Sequence, residues 1–351
     1  MKTKVSLRPF IYISPSMQTI SVFLLIMLVP QLVMLFLTKS YASVGIIISA
    51  IIASLVAEGL NSLVKKTFKF SWIISIIQGI LVGFFLPSVY SPMAVFFITL
   101  ATFLVCKYAF GGVAESWINV VAITVAVCYF LGATNFPSTV VTVGDLQSKN
   151  ASLSLIQNGT VPIHVNDDAV TAYLNRTLFK VAGVRIPNGY VSLFWDTGSA
   201  IPAFRFNFIT LISSLILFSF EMIDILIPAV FLVVYAFLIH FVPPFLFGVE
   251  VLYGDIFLAM FTSGVLFSTL FILQWFGTVP SAITGKIVYG VGAGIVCYLI
   301  VGYGLSSVGC IFMILVMNMF SLAIEVVERR RIKKNVHKYL LPRVRFFKEG
   351  E

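Results

Sequence analysis

The sequence predicts an all-α polytopic membrane protein with about ten transmembrane helices, arranged as two inverted five-helix repeats. Its composition is 59% hydrophobic and 11% charged, with a mean hydropathy of +1.03. A soluble domain is closer to half apolar and a quarter charged. The apolar segments also divide equally around a long polar stretch, and an odd number of spans per half would give the two halves opposite orientations.

Each predicted span is a segment of about 20 predominantly apolar residues. The predicted spans are residues 18–38, 42–63, 71–90, 92–109, 115–133, 206–222, 224–246, 253–276, 286–304 and 306–327. They divide the chain into four parts: a first membrane half at 1–134, an extracytoplasmic loop at 135–205, a second membrane half at 206–327 and a basic cytoplasmic tail at 328–351.

Basic residues predict the orientation of these spans. They cluster in the leader at 2–8, after the second span at 65–69 and in the tail at 329–334. With ten spans, these three places lie on the same side of the membrane. Because Lys and Arg are retained on the cytoplasmic side, we expect both termini to be cytoplasmic and the polar loop to face outward.

The net charge of +9 does not indicate nucleic-acid binding, because the basic residues lie at helix ends and in the tail, as insertion topology requires. The cysteines Cys106, Cys128, Cys297 and Cys310 lie in apolar segments without CxxC spacing. Zinc or iron–sulfur ligands would be more closely grouped. We therefore predict buried small cysteines and no metal site. No residue shows a pattern that indicates a catalytic group.

Three stretches resemble one family, the RnfD/NqrB membrane proteins of the Rnf complex and of the sodium-pumping NADH:quinone oxidoreductase. These stretches occur in the family's order and at its spacing, and together they cover most of the chain. The matching segments are Ser14-Pro15 with IMLVP (26–30), GILVGFFLPSVYSP (79–92) with KYAFGG (107–112) and Asn119, and YGDIFLAMFTSG (253–264) with TGKIVYG (284–290) and LVMN (315–318). LPSVYSP, Lys107 and Asn119 in the first half also resemble VPSAITG, Lys286 and Asn318 in the second, which favours an internal repeat.

The resemblance implies a membrane subunit of an ion-translocating oxidoreductase complex, with flavin-linked electron transfer coupled to Na⁺ or H⁺ translocation. It implies the other Rnf-type subunits (A, B, C, E and G) as partners, and a bacterial cytoplasmic (inner) membrane as the location. It also implies flavin: FMN attached to a threonine of the outward loop, and a non-covalent FMN or riboflavin. The resemblance places the candidate flavin-binding residues at Lys107, Gly111, Gly112, Asn119, Thr171, Thr177, Thr284, Lys286 and Asn318.

The covalent flavin site departs from the family's pattern. The attachment motif, Asp-x-x-Thr/Ser-Gly-Ala-Thr-x-x-Thr, aligns with residues 168–177, where the acceptor threonine is replaced by Leu174. Leucine has no hydroxyl, so a phosphoester cannot form there. Thr171 and Thr177 are the hydroxyl-bearing neighbours that could replace it. We therefore expect a non-covalent flavin at most.

Several polar residues within the apolar segments have two interpretations. Glu58 could bind a cation or relay a proton, or it could be a helix-end acid that pairs with Lys65 or Lys66. Lys107 and Lys286 could line a site or extend to the cytoplasmic interface. Asn119 and Asn318 could bind a flavin edge or an ion, or they could stabilise a helix crossing.

Two other functions remain open on the sequence. An inverted-repeat channel or transporter would use the same fold without redox chemistry. A non-flavinylated scaffold subunit would hold a complex together, and the leucine at position 174 favours it.

Overall fold

The computed structural model describes residues 15–65, 72–109, 118–137, 156, 159–183, 185–247, 255–303 and 306–348. All regular secondary structure in these residues is helical. The α-helices are α1 Met17–Leu37, α2 Tyr41–Lys65, α3 Trp72–Phe84, α4 Pro92–Phe103, α5 Val120–Leu131, α6 Asp167–Ala182, α7 Tyr190–Trp195, α8 Asn207–Ser219, α9 Leu226–Phe247, α10 Ile256–Thr262, α11 Val265–Phe271, α12 Ile283–Cys297 and α13 Gly309–Lys348.

The apolar helices confirm a multi-pass membrane protein. The helices that are long and apolar enough to cross a bilayer are Met17–Leu37, Tyr41–Lys65, Ile283–Gly302 and Gly309–Lys334. Shorter apolar helices are Trp72–Phe84, Pro92–Tyr108, Val120–Leu131, Asn207–Ser219 and Leu226–Val242. The all-α class is therefore confirmed, whereas the number of spans and the inverted repeat remain predictions.

The predicted span at 253–276 is not one continuous helix. It is divided into α10 and α11 at Ser263-Gly264, where Gly264 has a φ of 69°. A Cβ at Gly264 would lie 2.2 Å from Cε1 of Phe204. Glycine is therefore required both by the left-handed backbone conformation and because the Phe204 ring leaves no room for a side chain. The span at 71–90 is likewise shorter than predicted, because α3 ends at Phe84 before a turn.

Glycines spaced four residues apart bring two pairs of helices into close contact. On α3, a Cβ at Gly79 would lie 2.7 Å from Cα of Ile51, and one at Gly83 would lie 2.6 Å from Cα of Ile47. On α12, Gly290 and Gly294 similarly face valine side chains of α9. Small residues at this spacing let helix backbones approach where lipid provides no hydrophobic driving force for association.

Polar and aromatic contacts join the two membrane halves. Gln31 on α1 donates from Nε2 to Oγ1 of Thr210 on α8 at 2.9 Å, and both side chains are buried. Near the ends of the broken helices, the ring of Phe267 stacks on Phe84 at 5.2 Å and meets the edge of Phe85 at 5.6 Å. The core therefore runs through both halves without a break.

The polar segment between the halves is held together by a buried carboxylate. Asp167, at the start of α6, accepts hydrogen bonds from the backbone N–H groups of Gly189 and Ser192, each at 2.8 Å. Further along, Arg205 pairs with Asp196 and donates to Oγ of Ser40 at 2.8 Å. The segment is thereby joined to the α1–α2 loop.

We predict that Gly83→Ala destabilises the protein and that Gly59→Ala does not. The first substitution forces a methyl group into the backbone of α2, and overpacking of this kind typically costs about 1–3 kcal/mol. A Cβ at Gly59 meets nothing within 4 Å, so the better helix propensity of alanine should stabilise that helix slightly. Thermal unfolding of both variants in lipid nanodiscs checks this. Equal melting temperatures would contradict it.

Candidate functional site

A polar cluster lies inside the apolar helices of the first half. Oε2 of Glu58 on α2 accepts hydrogen bonds from Oγ of Ser75 on α3 at 2.9 Å and from the hydroxyl of Tyr108. The ammonium group of Lys107 lies 3.4 Å from the same carboxylate oxygen and donates to Oγ of Ser75 at 3.1 Å. The Ser75 hydroxyl therefore links the carboxylate to the ammonium group, and the Tyr108 hydroxyl bonds to the carboxylate alone.

Burial makes the charges of this cluster interdependent. The side chain of Lys107 is 0% exposed, and that of Glu58 is 5% exposed. Nζ of Lys107 also lies 4.9 Å from the ring centroid of Tyr108 and 5.7 Å from that of Phe103. An isolated charge at the bilayer centre costs about 2.5–3.5 kcal/mol even on insertion scales, so each member of the pair offsets the cost of the other.

A local change of helix type positions the lysine. After α4, the chain continues as a π-helical turn over Leu104–Tyr108, which contains both Lys107 and Tyr108. A π turn alters the angular register of the side chains that follow it, and such turns occur frequently at functional sites. Both side chains reach Glu58 from this turn.

These contacts decide between the sequence interpretations of Lys107. The interpretation in which its side chain extends to the cytoplasmic interface is wrong, because that side chain is fully buried. The structure shows Lys107 as an ion-pair partner of Glu58. That pairing joins residues 49 positions apart and was not among the sequence alternatives.

Lys286 lies in a different environment. It is in the first turn of α12 and pairs with Asp224 in the α8–α9 loop, and the two side chains are 23% and 36% exposed. Burial raises the pKa of Asp224, but hydrogen bonds from Lys286 and from the N–H of Leu226 lower that pKa by more, so it lies below its ordinary value. The stabilisation by this pair is therefore present above the ordinary aspartate pKa and is lost as the pH falls through the lowered one.

Asn119 joins the two halves. It is the N-cap of α5, and its Oδ1 accepts from the N–H groups of Val121 and Ala122 at 3.0 and 3.3 Å. Its Nδ2 donates to the carbonyl of Ile272, just after α11, at 3.0 Å. Its predicted place inside a helix is therefore corrected to a helix start, where asparagine is a preferred cap.

Asn318 behaves differently from Asn119. It lies within α13 with 0% exposure, and neither of its side-chain amide atoms has a hydrogen-bond partner among the described residues.

The other predicted flavin residues are dispersed. Thr284 is exposed in the first turn of α12, while Gly111 and Gly112 lie outside the described residues. Lys107 and Asn119 have separate partners, so the described contacts do not bring the predicted flavin residues together into one site.

The motif resemblance between the two halves is not matched by the positions of these residues on their helices. Lys107 follows the end of α4, whereas Lys286 lies at the start of α12. Asn119 precedes α5, whereas Asn318 lies ten residues into α13 when Gly309 is counted as the first. These pairs are therefore not structural equivalents.

The residues of α6 that align with the attachment motif test the fit of a covalently bound FMN. Leu174 is half-buried on α6 and offers no hydroxyl. Thr171 is buried, and its Oγ1 donates to Oδ1 of Asp167 at 3.1 Å, so this hydroxyl already supports the segment. Thr177 is exposed, and its hydroxyl donates to the carbonyl of Tyr173 at 2.8 Å. The family's phosphoester does not fit positions 171 and 174, whereas Thr177 carries an exposed hydroxyl.

Sequence reasoning missed several residues of these sites. Ser75 and Tyr108 complete the Glu58 cluster, and Asp224 is the partner of Lys286. A serine or tyrosine in an apolar segment gives no signal by itself, because its importance depends on which helix packs against it. Gln78 on α3 was also missed, and its buried Oε1 has no hydrogen-bond partner among the described residues.

We predict that Asn119→Ala lowers stability more than Ser16→Ala does. Both residues are N-caps, and losing a cap typically costs about 0.5–2 kcal/mol. Only the first substitution also leaves a buried carbonyl, that of Ile272, without its donor. Ser16 is exposed, so water can replace its bond. Melting temperatures of the two variants in the same detergent check this; a larger loss for Ser16→Ala would contradict it.

Comparison with known proteins places the chain in a family. No curated protein sequence matches it. The family model described as the NQR2, RnfD, RnfE family matches residues 4–334, which is nearly the whole chain. This membership agrees with the resemblance of the sequence motifs and fits a membrane subunit of an Rnf- or Nqr-type complex. The chain belongs to the NQR2, RnfD, RnfE family.

Proposed function

We propose that this chain is a membrane subunit of an Rnf/Nqr-type ion-translocating oxidoreductase complex and takes part in flavin-linked electron transfer coupled to Na⁺ or H⁺ translocation. The observation that carries the proposal is the family match over residues 4–334 of a chain rich in apolar helices. The partners would be the other Rnf-type subunits (A, B, C, E and G). The location would be a bacterial cytoplasmic (inner) membrane.

The proposed architecture is two inverted five-helix repeats with the outer segment between them. Two features support it. The fourth apolar helix of each half ends in a π-helical turn, at Leu104–Tyr108 and at Tyr298–Tyr303. The third element of each half is also interrupted, after Phe84 and at Gly264. In this arrangement both termini are cytoplasmic, in agreement with the basic residues of the tail.

The flavin would be non-covalent. Asn318 supports this part of the proposal, because its buried amide has no hydrogen-bond partner among the described residues, and such a group costs about 1–3 kcal/mol unless a ligand or water completes its hydrogen bonds. Its Nδ2 and Oδ1 would donate to and accept from the polar edge of a flavin ring. The flavin would supply an electron carrier, and the surrounding apolar side chains would exclude water from it.

A scaffold subunit without flavin is the second candidate function. The replacement of the acceptor by Leu174 favours it, together with the engagement of Thr171 by Asp167. Such a subunit would keep the family's fold and its contacts with other subunits, but it would carry no electrons.

We expect the purified chain to release flavin on acid treatment and to carry no covalent flavin. Intact mass, fluorescence in a denaturing gel and chromatography of the released flavin measure this together. Release without an adduct supports the proposal. A covalent adduct would contradict the non-covalent assignment and would point to Thr177, and the absence of any flavin would favour the scaffold.

Two substitutions locate the flavin if it is released. We expect Asn318→Leu to reduce the flavin content per chain several-fold, because the buried amide would lose its hydrogen bonds to the ring. Ser281→Ala should leave that content unchanged, since Ser281 is exposed just before α12 and is not among the candidate flavin residues. Equal flavin content in the Asn318 variant and the unsubstituted chain, both folded, would contradict the assignment of Asn318.

The orientation can be tested with single cysteines in a cysteine-free background. Thr177 on α6 and Lys333 in the second half of α13 are both exposed. We expect a membrane-impermeant maleimide applied to intact spheroplasts to label Thr177→Cys, and to label Lys333→Cys only after the membrane is opened. The reverse pattern would contradict cytoplasmic termini.

A further inference from the structure

The helix α13 is longer than a membrane span. It runs without a break over Gly309–Lys348, which is 40 residues and, at about 1.5 Å per residue, roughly 60 Å. A hydrocarbon core of about 30 Å is crossed in about 20 residues, so a helix that enters the core near Gly309 leaves it near Arg329. The residues just after this point therefore lie at the level of the lipid headgroups.

One face of α13 is apolar along the span and basic at its end. The residues of this face follow one another at spacings of three or four positions, which places them on one side of a helix, and all of them are exposed. The apolar stripe within the span consists of Met319, Ala323, Val326 and Val327. The basic turn that continues it consists of Arg330, Lys333 and Lys334.

The acidic side chains of this part of α13 lie away from the basic turn. Glu325 pairs with Arg329 at 3.3 Å. Glu328 lies against Gly285 of α12, where its Oε1 occupies the space that a Cβ would fill. In the described part of the chain, no carboxylate pairs with a residue of the basic turn. The turn therefore carries three positive charges that the protein does not neutralise there.

We propose that this face of α13 binds an anionic phospholipid, with the acyl chains along the apolar stripe and the phosphate at the basic turn. The site lies within this chain and needs no flavin and no partner subunit, so it goes beyond the proposed function. It holds for either orientation of the chain, because it concerns only the leaflet at which α13 leaves the membrane.

A phosphodiester matches the donors of the basic turn. The guanidinium of Arg330 presents a planar fork of N–H groups that fits two phosphate oxygens, and Lys333 and Lys334 add compact charges on flexible stems. Clusters of Lys and Arg just beyond a membrane span attract anionic headgroups in this way. A zwitterionic headgroup carries its own ammonium group, which the same side chains repel. The turn therefore selects a lipid with a net negative charge.

The apolar stripe favours a lipid over an acidic protein or a free phosphate ion. Val326 and Val327 are 49% and 65% exposed and lie one turn before Arg330 on the same face. A molecule that contacts both the stripe and the basic turn must be apolar along the span and anionic at its end. A phospholipid is divided in this way, and its headgroup lies at the depth where α13 leaves the hydrocarbon. A bound lipid would thereby fix the depth of α13 in the membrane.

The test is native mass spectrometry of the full-length chain in detergent, titrated in parallel with phosphatidylglycerol and with phosphatidylcholine of the same acyl chains. We expect the first lipid to bind at about a fivefold lower concentration or less, because only its headgroup has a net negative charge. Inorganic phosphate should not displace it, since phosphate lacks the acyl chains. Equal binding of the two lipids, or displacement by phosphate, would overturn the proposal.

Two neighbouring arginines provide a matched control. Arg330→Gln removes a guanidinium of the basic turn, whereas Arg329→Gln removes one that is paired with Glu325. Both variants have the same net charge. We expect Arg330→Gln to reduce the preference for phosphatidylglycerol about fivefold and Arg329→Gln to leave it nearly unchanged. Equal losses in the two variants would show an attraction that is not specific to this face, and would overturn the proposal.

A measurement on the unsubstituted chain keeps the test decisive if the variants do not insert into the membrane. The basic turn is exposed, so salt screens its attraction for a headgroup. We expect phosphatidylglycerol to bind more weakly as the concentration of ammonium acetate is raised, while the binding of phosphatidylcholine stays the same. A preference for phosphatidylglycerol that does not weaken with salt would overturn the assignment to the basic turn.

Discussion

Hydrocarbon offers no hydrogen-bond partner, so polar groups buried among these helices need partners within the protein or in a bound ligand. This constraint explains the most specific contacts of the structure. Glu58 and Lys107 neutralise each other, Asn119 bonds to the carbonyl of Ile272, and Gln31 bonds to Thr210. Each contact joins different helices, and the last two join the two membrane halves. Apolar packing alone would leave the relative positions of these helices far less specified, because lipid is as apolar as the side chains.

Close packing through glycine makes the short polar contacts possible. Gly79 and Gly83 bring α3 against α2, and that approach places Ser75 within reach of Glu58. The π-helical turn at Leu104–Tyr108 then directs Lys107 and Tyr108 to the same carboxylate. A local feature of each helix, either a small residue or a change of helix type, therefore determines the geometry of the cluster.

The sequence was sufficient to predict the membrane class, because hydropathy depends only on local composition. It also predicted most helices to within a few residues. The break at Gly264 was missed, since it depends on Phe204, a residue 60 positions earlier that packs where a Cβ would lie. The pairing of Glu58 with Lys107 was missed for the same reason: Lys65 and Lys66 are the nearer partners along the chain, and only the fold brings Lys107 close. The leucine at position 174 is evident from the sequence, whereas the engagement of Thr171 by Asp167 required the structure.

We infer that the buried Glu58–Lys107 pair acts as one unit. A double-mutant cycle of unfolding free energies, with Glu58→Gln, Lys107→Met and both together, measures the coupling between the two side chains. Removing one partner of a buried pair typically costs about 3–5 kcal/mol, because the other charge is left uncompensated. We therefore expect the double variant to be more stable than Lys107→Met alone. Losses in stability that simply add would contradict the claim.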